Sequence, residues 1–273
     1  MRDFYGPQNG FAIVNVTFLL AVHLLGILSL GVLGVFKWQS FALGFLWWWL
    51  SNTAVGAGYH RYYAHGSHKA RWPLECFYLL FGAGSFQGPA TRWSALHNWH
   101  HAHSDGPMDP YSVSYARGWR GFLWAHMGWV IWNLPAGMEK KLRSFERNRL
   151  MKIQRILYLP LGVSVGFLLP AFIGSMWADA LGAFFIAGPL RLVIQYHQTF
   201  LVNSLAHWFG ERVGEGSARN GGWLVALLTH GEGGNHGDHH LRPRRLSIGP
   251  GWWDPPRWWV LLARKLRLAY DIV

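Results

Sequence analysis

A single cysteine stands in this 273-residue chain, and acidic residues are scarce, with 13 Asp and Glu against 25 Lys and Arg. Cys76 alone excludes an intrachain disulfide, a CxxC redox pair, a thiolate zinc site and a cysteine-ligated iron–sulfur cluster. A lone thiol of this kind reads as a small buried apolar side chain. Charge of either sign is sparse, at 14% of residues, which argues against a soluble domain of this size. No polar linker or low-complexity run divides the sequence, so residues 1–273 read as one domain.

What the chain does hold is apolar and aromatic: 51% hydrophobic residues, with 18 Trp. Four hydrophobic segments stand out, about Phe11–Phe36, Phe41–Ala57, Ile156–Trp177 and Ala180–Tyr196. Each is near the roughly 17–25 residues that cross a bilayer. Asn52, Gly56 and Gly58 predict that the second ends in helix-packing contacts. Arg191 predicts that the lower part of the fourth leaves the lipid or faces the protein interior. A signal peptide is not expected, because the basic flank is Arg2 alone and the first apolar stretch is long.

The net charge of +12 follows the membrane segments rather than a nucleic-acid footprint. The first link between segments holds only Lys37, and the link between the third and fourth holds no Lys or Arg. Basic residues concentrate in His60–Arg155, including Lys140, Lys141 and Arg143, and in the C-terminal part. The positive-inside rule then places both termini and the central segment in the cytosol. The expected architecture is an all-α integral membrane protein. Four transmembrane helices carry a cytosolic helical cap, 58–155 and 197–273, on a bacterial inner membrane or endoplasmic reticulum. Most tryptophans read as interfacial anchors, and the shorter apolar runs Phe77–Phe86 and Gly121–Leu134 as segments lying flat in the interface.

The same histidine pattern occurs twice, as His97-x-x-His100-His101 and His236-x-x-His239-His240. Steps of three and four return to one helix face, so each triplet can aim three imidazoles at one point. Imidazole is the commonest protein metal ligand. His60 and His65 differ: five residues put them about 140° apart on an ideal helix, so they reach different metals or the helix bends. His207 lies one turn from Asn203, and the two can share a centre. His103 points off the ligating face, and His23 reads as hydrogen-bonded inside the bundle. His68, His126, His197 and His230 read as supporting or surface residues. Asp105, Asp109, Glu232 and Asp238 are candidates to hold the imidazoles' other ring nitrogens, capping being the alternative. All the candidate ligands fall on the cytosolic side.

Gly58-Tyr-His60-Arg-Tyr-Tyr-Ala-His65, His97-Asn-Trp-His100-His101 with Asp109-Pro-Tyr-Ser112, Asn203-Ser-Leu-Ala-His207 and His236-Gly-Asp-His239-His240 follow in order. From about Ala57 to Arg245 this closely resembles the membrane fatty acid desaturase family, particularly its stearoyl-CoA delta-9 branch. The resemblance implies two iron ions held by His60, His65, His97, His100, His101, His207, His236, His239 and His240, with Asn203 reaching one through water. It implies O2-dependent removal of two hydrogens from a saturated acyl chain on CoA or lipid, giving a cis double bond. The third box departs from the family's Gly-Glu-Gly-x-His-Asn-x-His-His. One extra residue precedes His236, and Gly237 stands for asparagine. No fused haem or iron–sulfur domain is expected after that box. A separate donor is therefore expected, a ferredoxin or cytochrome b5 with its reductase.

Arg242, Arg244 and Arg245 follow the third box and are expected to grip an anionic head group at the mouth of an acyl tunnel. Contact with anionic lipid is the alternative for these and for the other basic residues beside the spans. The residue capping that tunnel is expected on span one or two, where Gly26, Gly31 and Gly34 either leave room for a chain or pack helices. A hydroxylase on the same scaffold is the nearest alternative, since both reactions begin with hydrogen abstraction. A metal transporter would need titratable groups along the spans, and only His23 and Arg191 stand there.

Overall fold

The computed structural model describes residues 10–31, 33–133 and 144–273. Arg2, Val32, Leu134, Lys140, Lys141 and Arg143, which enter the expectations above, lie outside them.

The described chain is mostly helical, and its longest helices form four rods. Helix α1 (Ile13–Gly31) is the first. The second is α2 (Trp38–Thr53), which runs without a break into a π-helical stretch, Ala54–Ala64. The third joins α7 (Tyr158–Val163) to α8 (Leu169–Ser175) through a π-helical Ser164–Leu168. In the fourth, Asp179 caps α9 (Ala180–Phe185) by accepting the Gly182 N–H at 3.0 Å. A π-helical turn around Pro189 follows, since proline has no N–H for the ladder, and then come α10 (Arg191–Ser204) and a 3₁₀ turn ending at His207.

Two of the rods, Ile13–Gly31 and Tyr158–Ser175, are long and apolar enough to cross a membrane. The other two expected spans are long helices whose composition is mixed. Helix α2 carries Gln39, Ser40, Ser51 and Asn52 beside its tryptophans, and α10 carries Arg191, Gln195, His197 and Gln198. These polar groups turn toward protein. Arg191 is 2% exposed, and its guanidinium donates to the carbonyls of Ala187, Gly84 and Gly166 and to Gln195. Of the two expectations for Arg191, the interior one describes it.

Rod one packs on rod four through Leu19, Val22, Leu192, Tyr196 and Phe200. A Cβ on Gly26 would stand 2.9 Å from Val193 Cγ2, so Gly26 serves close helix packing, whereas Gly31 and Gly34 face open space. Rod two packs on rod four through Leu43, Trp47, Ala183 and Ala187.

Around these rods lie α3 (Trp72–Gly84), α4 (Ala90–His103), α5 (Trp119–His126), α6 (Arg149–Ile156), α11 (Gly222–Leu228), α12 (His236–Leu241) and α13 (Pro255–Lys265). Phe77–Phe86, expected to lie flat in the interface, is largely interior: Tyr78, Leu79 and Ala83 of α3 are buried. The Tyr78 ring fits against Gly58, where a Cβ would meet it at 2.5 Å. Leu74, Tyr78, Leu246 and Val260 close a core between α3, α13 and the π-helical stretch. Burial is worth about 1.5–3 kcal/mol for each large apolar side chain there. Two short antiparallel pairs complete the chain: β1 (Lys69–Ala70) with β4 (Ala269–Tyr270), and β2 (Glu211–Arg212) with β3 (Arg219–Asn220).

Candidate metal centre

The π-helical stretch decides how His60 and His65 are used. A π-helix bonds residue i+5 to i, and the His65 N–H donates to the His60 carbonyl at 3.2 Å. Both rings therefore stand on one face, with centroids 4.9 Å apart. Of the sequence alternatives, a locally changed helix is the one observed, and the two do not reach different centres. Their ligand nitrogens and those of His97, His101 and His239 all lie within 4.8 Å of one another. A second group joins His100, His207 and His240 within the same limit. His236 adjoins it, with Nε2 3.1 Å from that of His207 and 3.2 Å from that of His240.

Each HxxHH triplet is thus divided. In α4 the outer pair, His97 and His101, enters the first group and His100 the second. In α12 the outer pair, His236 and His240, joins the second group and His239 the first. Residues i and i+4 share a face, and i+3 is turned by about 60° from i, enough to aim at a neighbouring point. The groups touch where the His101 ring stacks on His240 at 4.3 Å.

Four of the outer nitrogens meet acceptors. His60 Nδ1 donates to Glu232 Oε2 at 2.5 Å and His100 Nδ1 to Asp109 Oδ1 at 2.8 Å. His207 Nδ1 meets Ser217 Oγ at 2.8 Å, and that hydroxyl donates to Asp105 Oδ1 at 2.5 Å. His236 Nδ1 is 3.3 Å from the Glu232 carbonyl. Asp238, the fourth carboxylate candidate, bonds Asn220 instead and fixes the start of α12 to β3. Ser217 carried no sequence signal, being a loop serine with no helical spacing to His207. Arg61 was also missed. It is 1% exposed and pairs with Glu232 at 2.9 Å and Asp254 at 2.8 Å.

Electrostatics favour neutral imidazoles facing a cation. Burial, then the neighbouring His60, pushes His65 down to about 2, and burial, then His100, takes His236 to about 3. Burial would raise Glu232, but Arg61 and His60 outweigh it and hold that carboxyl at about 2. Where the Nδ1 proton is committed outward, as in His60, the Nε2 offers a bare lone pair. Nε2 atoms face one another at 2.9 Å between His60 and His239 and at 2.8 Å between His65 and His97. Lone pairs so placed repel unless a cation lies among them. Nine imidazoles in two adjoining groups therefore fit two transition-metal ions. Gly56 belongs to this arrangement, because a Cβ there would stand 2.6 Å from Glu232 Oε1.

Of the remaining histidines, His103 bonds the Trp99 carbonyl and stays off the cluster. His23, His197 and His126 form a chain outside it. Nε2 of His23 meets Nε2 of His197 at 3.3 Å, His197 Nδ1 meets His126 Nε2 at 3.0 Å, and His126 Nδ1 meets Ser204 Oγ at 3.0 Å. The chain ends on backbone at both sides, His23 Nδ1 at the Leu19 carbonyl and Ser204 Oγ at the Phe200 carbonyl. His68 and His230 are buried outside the two groups, His230 lining the small pocket that touches them. Burial, then Arg61, lowers His68 to about 4, and burial lowers His230 to about 3. The unfolded chain takes up these protons near pH 6.5, whereas the folded chain resists until pH 4 or below. Stability is therefore level above pH 6.5 and falls as pH drops through that window. At pH 5 the two together cost about 4 kcal/mol. Denaturant unfolding in micelles at pH 7.5 and pH 5 checks this, and an unchanged or higher midpoint at pH 5 would refute it.

An apolar cavity of about 450 Å³ reaches the cluster. Its walls come from α1 (Val14, Phe18, Leu19), α7 (Tyr158, Val163) and α10 (Tyr196, Phe200), and His97 and Asn203 stand in its lining. Trp93 Nε1 donates to Gln87 Oε1 at 3.1 Å and Gln87 Nε2 to Thr199 Oγ1 at 2.9 Å, forming a bonded band beside these two. A smaller pocket of about 50 Å³ lies against His60, His97, His100 and His236, and Asn203 lines both spaces. Span one thus contributes to the larger cavity, while Asn52, Val55 and Gly56 of span two line the smaller pocket. Arg242 and Arg245 line a separate hollow, described below.

Long apolar helices set beside two adjoining polyimidazole groups able to hold metal, with an apolar cavity leading to them, define a membrane-type histidine-cluster protein. The family model "Fatty acid desaturase" matches residues 35–270. The "sn-1 stearoyl-lipid 9-desaturase" of Anabaena variabilis is 31% identical over 95% of this chain and 93% of its own length. The human "Stearoyl-CoA desaturase" is 28% identical, covering 99% of this chain and 77% of its own. "Acyl-CoA desaturase 1" of Saccharomyces cerevisiae is 32% identical over 82% of this chain, which spans only 44% of the yeast protein. The chain belongs to the fatty acid desaturase family, whose members are membrane-bound.

Proposed function

We propose that this chain is an O2-dependent di-iron acyl desaturase that introduces a cis double bond at the ninth carbon of a saturated chain carried on CoA or lipid. The observation that carries this reading is the apolar cavity ending at His97 and Asn203, which brings an extended hydrocarbon beside the imidazole cluster. The proposed ligands are the nine histidines, with Asn203 presenting its amide to a bound water. When bound, the iron pair supplies the oxidising chemistry: one O2, two electrons and two protons remove two hydrogens and give two waters.

The residues' own work is positioning. Glu232, Asp109 and Ser217 fix ring orientation, and the Trp93–Gln87–Thr199 band walls the cavity at the height of the cluster so that one carbon pair faces it. The four-rod arrangement supports a four-span topology; the basic residues outside the spans place both termini and the site in the cytosol, and the proposed donor is a ferredoxin or cytochrome b5. The test is expression in a host of defined fatty acid profile, followed by double-bond localisation. Products lacking two hydrogens are expected, whereas products gaining one oxygen would make the chain a hydroxylase. The purified protein should hold about two irons per chain, and an active preparation containing zinc alone would refute the assignment.

A further inference from the structure

A hollow of about 250 Å³ opens behind the cluster, and Arg242, Arg245 and Arg257 stand in its wall. Arg244 is exposed beside it. Among the described residues none of these four arginines forms an ion pair, and the hollow's one carboxylate, Asp238, is bonded to Asn220. His239 is the only one of the nine clustered imidazoles in this wall. Its Nε2 looks the other way, 2.9 Å from His60 and 3.2 Å from His101. One imidazole therefore separates a basic surface from the other four histidines of its group.

The hollow shares no lining residue with the apolar cavity, so an occupant there leaves the acyl path open. A second basic depression touches His207, with Arg117 and Arg219 in its wall. There the ring's outer nitrogen is taken by Ser217, and Arg219 donates to the Gly210 carbonyl. Next in sequence to the lining residues Arg242 and Gly251 stand two exposed apolar side chains, Leu241 at 59% and Trp252 at 72%. Uncommitted arginines around an apolar anchor suit a partner presenting carboxylates.

We propose that this hollow is the docking surface of an acidic electron-carrier protein, which delivers electrons through the His239 imidazole. The proposal rests on the desaturase reading, because that reaction consumes two electrons from outside the acyl chain. The test uses the full chain in neutral-lipid nanodiscs, with a plant-type ferredoxin and the haem domain of cytochrome b5 as probes. At least one is expected to bind with an affinity that falls as salt rises. The double variant Arg242→Glu, Arg245→Glu should weaken binding about tenfold or more and flatten the salt dependence, while the Arg→Lys pair retains it. Unchanged thermal unfolding shows that the variants fold.

Wild-type-like binding by the charge-reversed protein overturns the proposal, as does failure of both probes to bind the wild type. So does an effect confined to flotation with anionic vesicles, or to the KM for acyl-CoA, which would assign the arginines to lipid or to the substrate head group. Donor binding that follows the arginines in a chain making no unsaturated product would retain the docking surface and sink the desaturase reading instead.

Discussion

Glu232→Ala should yield a protein that unfolds far more easily and loses its metal. The carboxylate bonds His60 through one oxygen and Arg61 through the other, and Arg61 is 1% exposed. Truncation leaves that guanidinium on Asp254 and the Leu246 carbonyl alone, and breaking a buried ion pair from one side costs about 3–5 kcal/mol. It also frees the His60 ring to turn, and loss of such an outer partner lowers metal affinity about 10–100-fold. Because Arg61 and His60 hold this carboxyl near 2 against its burial, the contribution is present at neutral pH and fades only as pH falls below about 4.5 toward 2. Glu232→Gln keeps an acceptor for one partner and should lose metal with a smaller stability cost. Metal titration and thermal unfolding decide it. Wild-type stoichiometry and midpoint in Glu232→Ala would remove Glu232 from the centre.

His100→Ala should abolish product formation and bring iron from about two per chain to about one. The division of the triplets is the reason. His100 belongs to the group with His207, His240 and His236, whereas the five imidazoles of the other group keep their geometry. The substitution also strips Asp109, 3% exposed, of its ring N–H, although the Asp105 and Tyr111 backbone donors remain to it. The protein should therefore fold. Single-site metal with no product is the expected combination, read by elemental analysis and acyl-chain profiling. Two irons and retained product would break the assignment of His100.

Much of the centre was legible because the α-helical period makes HxxHH a visible surface. The spacing placed the histidines on shared faces, but it could not say that i+3 serves a different point from i and i+4. That division is set by the opposing helix, which no local pattern encodes. His60 and His65 were ambiguous for a related reason. Nothing in Ala54–Ala64 announces a π-helix, and the change of period emerges only from packing against Tyr78, Glu232 and Pro256 at its glycines. Ser217 was hidden in a loop. Two apolar rods, Ile13–Gly31 and Tyr158–Ser175, could be read by composition alone. The other two mix tryptophan with inward-facing polar groups, and their polar residues make sense only once their partners are seen.

The histidine chain that runs from α1 through α10 to α5 has an arithmetic of its own. Between the Leu19 and Phe200 carbonyls there are five contacts. Three neutral imidazoles and one hydroxyl bring only four protons to fill them. A neutral chain must therefore leave one contact as lone pair against lone pair, and that gap can sit at any link. One added proton closes all five at once. Three helices are joined by a connection whose completeness counts protons.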